Sequence, residues 1–117
     1  MSEETAVKIA SGFGGGMRTG DTCGAVTGAI MVIGLRYGSG ECVTAAGRAG
    51  VNGKVLEFTR RFREKHGSLY CRDLLGCDTG TPEGIAKARE RNLFRTICPV
   101  FVEDAAAILE EIEKEEA

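Results

Sequence analysis

Gly12-Phe-Gly-Gly-Gly-Met-Arg-Thr-Gly-Asp-Thr-Cys-Gly-Ala-Val-Thr-Gly-Ala-Ile-Met-Val-Ile-Gly-Leu-Arg-Tyr-Gly38 is a glycine-rich turn feeding an apolar helix, with a cysteine at the joint. Gly14, Gly15 and Gly16 admit backbone angles that side chains resist. Gly20 and Asp21 break the chain again, and Asp21 or Thr22 is placed to cap the helix that follows. Cys23 then falls in the first helical turn, facing unpaired N–H groups and the positive end of the helix dipole. Both favour a thiolate, which makes Cys23 a candidate for chemistry. Gly24, Ala25, Gly28 and Ala29 form a narrow stripe that another backbone or a cofactor can approach closely. Ile30, Val32, Ile33 and Leu35 make the rest of the helix apolar, which predicts burial nearly all round. The run is shorter than the ~20 apolar residues a bilayer requires.

Outward from this stretch, the pattern stays helical. Glu3 to Ser11 reads as a short helix with an acidic start, and Gly38-Ser-Gly40 ends the central one. From Glu41 to His66, Val51, Val55, Phe58 and Phe62 recur at spacings of four and three, with Arg60, Arg61, Arg63, Glu64 and Lys65 on the wet side. Gly47, Gly50 and Gly53 weaken the first half, which is expected to be a loop or a broken helix. Ser68 is placed to cap a helix from Leu69 to Leu75, stopped by Gly76. Thr81-Pro82 opens a polar helix to Asn92, and Cys98-Pro99 opens a last one that turns Phe101, Ala105, Ile108, Leu109 and Ile112 to the core. No alternating strand pattern and no repeat appears. The expectation is an all-α fold, a compact single-domain bundle of five to six helices over residues 1–117.

Bulk properties narrow the function. A net charge of −2 offers no basic excess to follow a phosphate backbone, so nucleic acid is excluded as a partner. The glycine turn lacks the Lys-Ser/Thr of a phosphate-binding loop and follows no strand. The start, Met1-Ser-Glu-Glu-Thr5, has neither the basic nor the apolar part of a signal peptide, and no membrane segment occurs, so the chain is expected to be cytoplasmic and not membrane-inserted. In that compartment its five cysteines, at 23, 42, 71, 77 and 98, stay reduced unless they bind metal or cycle in redox work.

Cys23, Cys71 and Cys98 fall at expected helix starts, with Cys77 in the turn after the third helix. A helix start lowers a thiol pKa, and the thiolate is the form that ligates iron or zinc and attacks disulfides. There is no Cys-x-x-Cys, so neither a thioredoxin-type pair nor a zinc ribbon is encoded. Cys71-x5-Cys77 matches no standard iron–sulfur run, and the one histidine, His66, reads as the end of a helix. Any site must be assembled from distant segments by the fold. Buried, inert cysteines in a core are the competing reading.

Phe13-Gly-Gly-Gly-Met17, Thr22-Cys-Gly-Ala-Val-Thr-Gly-Ala-Ile-Met-Val-Ile-Gly-Leu35, Cys71-Arg-Asp-Leu-Leu-Gly76 and Cys98-Pro99 together resemble the C_GCAxxG_C_C family of redox-active proteins. Its defining Cys-Gly-Ala-x-x-Gly stands here as Cys23 to Gly28. The resemblance implies a helical domain and redox work through Cys23, Cys71 and Cys98, in small prokaryotic proteins often encoded near transporters. A related domain in split-Soret cytochromes accompanies haem and an iron–sulfur centre. The family pattern has one further cysteine upstream of the glycine turn, so the N-terminal segment of the family is expected to be missing here, with Cys77 as a substitute fourth thiol. Cys42 is taken as a bystander.

Three functions are then in competition. The first is electron transfer through an iron–sulfur cluster, most simply [2Fe–2S], held by Cys23, Cys71, Cys77 and Cys98 beside the small stripe of Gly24, Ala25 and Gly28. The second is a metal-free thiol–disulfide oxidoreductase, with Cys23 attacking and Cys71 or Cys98 resolving. The third is a structural metal-binding or helical accessory module. The expected partners are a redox protein, a membrane transporter, or a second copy in a homodimer that packs through the small-residue helix face.

Overall fold

The computed structural model describes residues 1–116. Seven helices follow in order: α1 (Glu3–Ala10), α2 (Gly24–Tyr37), α3 (Ala45–His66), α4 (Cys71–Leu75), α5 (Pro82–Glu90), α6 (Leu93–Thr96) and α7 (Cys98–Glu115). Five have eight residues or more; α4 and α6 are single turns, and α6 was not anticipated from the sequence. Asn92 takes a left-handed conformation at φ 56° and separates α6 from α5. Among the described residues no strand forms, and the all-α expectation holds.

α2, α3 and α7 pack on one another and hold the core between them. α3 contributes Phe58 and Phe62, with Val51 and Val55 half-buried on the same stripe, and α7 contributes Phe101, Ala105, Ile108 and Ile112. These are the spacings of four and three that one helix face requires. Phe58, Phe62, Ile33 and Val26 are the largest fully buried side chains, each stabilising by roughly 1.5–3 kcal/mol through burial. α3 runs unbroken through Gly47, Gly50 and Gly53, against the expectation of a loop or break. Packing on α2 and α7 outweighs the ~1 kcal/mol that each interior glycine costs. Gly47 has its own reason: a Cβ there would strike the Glu41 carbonyl. The Arg61 guanidinium bonds Glu57 and Glu115, tying α3 to the end of α7.

The central helix also departs from expectation. Val26, Ala29 and Ile33 are buried, but Leu35 is 65% exposed. Burial is one-sided because α1 has no buried residue. The glycine turn between α1 and α2 is wound left-handed: Gly15, Gly16, Met17 and Arg18 have φ of 66°, 62°, 60° and 64°. At Gly16 a Cβ would collide with the Asp21 backbone, so glycine is required there. No helix among the described residues is long and apolar enough to cross a membrane.

Candidate redox site

Two distant stretches are joined by backbone alone. Thr22 and Tyr70 form an isolated antiparallel bridge. The Cys23 N–H donates to the Leu69 carbonyl at 2.8 Å, and the Cys71 N–H to the Asp21 carbonyl at 2.7 Å. This pairing carries Cys23, the N-cap of α2, beside Cys71, the first residue of α4. α7 then delivers Cys98, its own first residue, to the same place. Cys23, Cys71 and Cys98 line one cavity of about 290 Å³, with Phe94 and Val102 as its apolar wall and the small residues Gly14, Gly15, Gly24 and Ala25 completing it. The small residues of the α2 stripe thus leave room at the sulfurs. Gly28 lies one turn beyond, in a groove between α2 and α7, and does not line this cavity.

All five cysteines are free. Cys71 is buried, while Cys23 and Cys98 are half-buried and face the opening. Burial pushes the Cys23 thiol above its ordinary pKa, although the backbone N–H groups of Ala25 and Val26 pull it down and Cys71 adds repulsion. Burial likewise raises Cys98, with further repulsion from Cys23 and Cys71. The expected easing of Cys23 and Cys98 toward thiolates is therefore reversed: loss of water around the sulfur outweighs the helix start. At neutral pH both rest as thiols. Ionising one of the three makes it harder to ionise the next, because all three line the same cavity.

Thr79, 3% exposed, is the polar hinge of the site. Its hydroxyl donates to the Gly15 carbonyl at 3.1 Å and lies 3.3 Å from Cys71 Sγ. A hydroxyl has one proton, so with that proton on Gly15 the Cys71 S–H is the donor to Thr79. Thr79 ties the glycine turn to the buried thiol. Sequence reading placed it only in a turn, and nothing in Asp78-Thr-Gly-Thr-Pro82 singles it out. Phe94 and Val102 were missed too, because only the fold brings them to the sulfurs.

The remaining two cysteines stand apart. Cys77 is buried at 5% exposure and does not line the cavity. Cys42 receives the Ser39 N–H and donates to the Gly47 carbonyl, both at 3.4 Å, which closes the turn before α3. His66 packs its ring against Phe62 and Phe101 and so joins α3 to α7 away from the thiols; its Nε2 stands 2.8 Å from Asp104 Oδ2 without making a hydrogen bond. An iron–sulfur cluster usually takes four thiolates. Three of the four expected ligands reach the cavity, Cys77 does not, and among the described residues no three His, Cys, Asp or Glu side chains are spaced to hold a metal ion. As it stands, the donor set does not fit the cluster.

The fold and site define a small helical protein with three thiols gathered at one half-open cavity. The chain belongs to the family described as "Putative redox-active protein (C_GCAxxG_C_C)", whose sequence model matches residues 1–112. Neither a curated protein nor a solved structure shows significant similarity to it.

Proposed function

We propose that the chain performs thiol–disulfide exchange, with Cys23 attacking and Cys71 or Cys98 resolving. The observation that carries this reading is the meeting of three sequence-distant thiols at one opening. Cys23 Sγ gives its proton to water and attacks one sulfur of a bound disulfide. That S–S bond breaks, and the leaving sulfur takes up a proton. The resolving thiol loses its proton and attacks Cys23 Sγ, closing an internal disulfide and releasing the second thiol. Two electrons pass to the substrate. A dithiol-bearing redox protein returns the pair to its reduced state.

The test is thiol release from an added small-molecule disulfide. Wild type releases two equivalents per chain. C71S/C98S releases one and keeps the mixed disulfide. Full release from C23S/C71S/C98S, with Cys42 and Cys77 intact, overturns the reading.

The cluster remains as a second reading because three thiols converge, and it requires a fourth ligand beyond them. Anaerobic purification with iron and sulfide assay decides it: bound iron and sulfide in equal amounts replace exchange, whereas colourless protein after reconstitution removes the cluster. The reading also extends to partners, a transporter or a second copy of the chain, which co-purification and sedimentation test.

A further inference from the structure

A second cavity, about 320 Å³, adjoins the thiol opening. The two share Gly14, Gly15 and Phe94 as a common wall. Arg18 and Arg89 line it, with Ile85 as apolar surface and Thr79 at the side toward Cys71. No acidic residue lines it. Among the described residues neither arginine forms an ion pair, a state they share with Arg48, Arg63, Arg72, Arg91 and Arg95; what sets these two apart is that they line one cavity. Arg18 reaches this place from a left-handed backbone at φ 64°, which a side chain adopts only at a cost. Two arginines lining one concavity, with no acidic residue beside them, offer guanidinium donors to a carboxylate or phosphate.

We propose that this cavity holds the anionic end of the exchange substrate, a small carboxylate-bearing disulfide whose sulfurs reach Cys23 across Phe94. The inference rests on the exchange reading. Each cavity is near the lower end of the ~300–1,000 Å³ range of ligand sites, and the adjoining pair suits a short two-ended molecule. Arg18 and Arg89 bind the carboxylate, Ile85 and Phe94 cover its carbon chain, and the far sulfur lies at the thiols. Electrons and protons then move as in the exchange above, with the anionic disulfide as oxidant and its two thiols as products.

The test compares 3,3′-dithiodipropionate with the cationic disulfide cystamine, each rate divided by its rate with free dithiothreitol. Wild type prefers the dicarboxylate by about tenfold or more, the scale of one or two charged hydrogen bonds. R18Q/R89Q loses that preference and R63Q, an exposed arginine away from the cavity, keeps it. Circular dichroism and melting confirm that the variants fold. A preference unchanged in R18Q/R89Q overturns the anion site while leaving exchange intact. Calorimetry with the unreactive thioether 3,3′-thiodipropionate separates the two claims. Binding by wild type and not by R18Q/R89Q supports the anion site even where no thiol is released, in which case exchange is what fails; no binding by wild type overturns the site.

Discussion

Replacing Thr79 by valine keeps the shape of a buried side chain and removes its hydroxyl. The hydroxyl makes two contacts, 3.1 Å to the Gly15 carbonyl and 3.3 Å to Cys71 Sγ, at a position 3% exposed. Valine leaves the carbonyl and the thiol without that partner, and a buried group left unsatisfied costs about 1–3 kcal/mol. We expect T79V to lose about 2 kcal/mol, a Tm fall of roughly 6–10 °C for a domain of this size. T79S keeps both contacts and loses one methyl, about 1 kcal/mol. Urea unfolding followed by circular dichroism measures both. The order wild type, T79S, T79V is the prediction. A T79V protein as stable as wild type would refute the idea that this hydroxyl fastens the glycine turn to the buried thiol.

Three further outcomes follow from the geometry. Burial raises the Cys23 and Cys98 thiols, so their alkylation by iodoacetamide accelerates about tenfold per pH unit from pH 7 to 8.5; a rate already on its plateau at pH 7 would contradict the raised values. F62A, which empties a fully buried site against Phe58, His66 and Phe101, loses about 3–5 kcal/mol in urea unfolding; a loss under about 1 kcal/mol would contradict the placed core. Arg60 and Arg61 hold the Glu57 carboxyl down to about 2. With a folded pKa below the unfolded one, its contribution is full above the unfolded value, ~4.3, and is lost as pH falls toward 2. E57Q therefore flattens the fall in urea midpoint over that window, and an unchanged slope would count against the pairing.

The helices were legible where side-chain period was strong. Val51, Val55, Phe58 and Phe62 on α3 and Phe101 to Ile112 on α7 announce their buried faces directly, as do Thr81-Pro82 and Gly76 their boundaries. α3's continuity was not legible, because glycine propensity is local and the packing that overrides it is not. Cys23, Cys71 and Cys98 were identified as a set, but the device that gathers them is backbone pairing between Thr22 and Tyr70, which leaves no mark in side-chain pattern. The thiol charge state was misjudged for a related reason. A helix start is visible in sequence; the desolvation that overrules it appears only after folding. Cys77 follows Gly76 closely in the chain, and the left-handed turn at Gly76 comes between it and α4.

The central claim is that Cys23, Cys71 and Cys98 act as one redox site. Peptide mapping by mass spectrometry after mild oxidation with a small-molecule disulfide, followed by reduction, tests it most directly. The account predicts one reversible internal disulfide joining Cys23 to Cys71 or Cys98, with Cys42 and Cys77 unlinked. Cross-links confined to Cys42 and Cys77, or three site cysteines that remain thiols throughout, would contradict it.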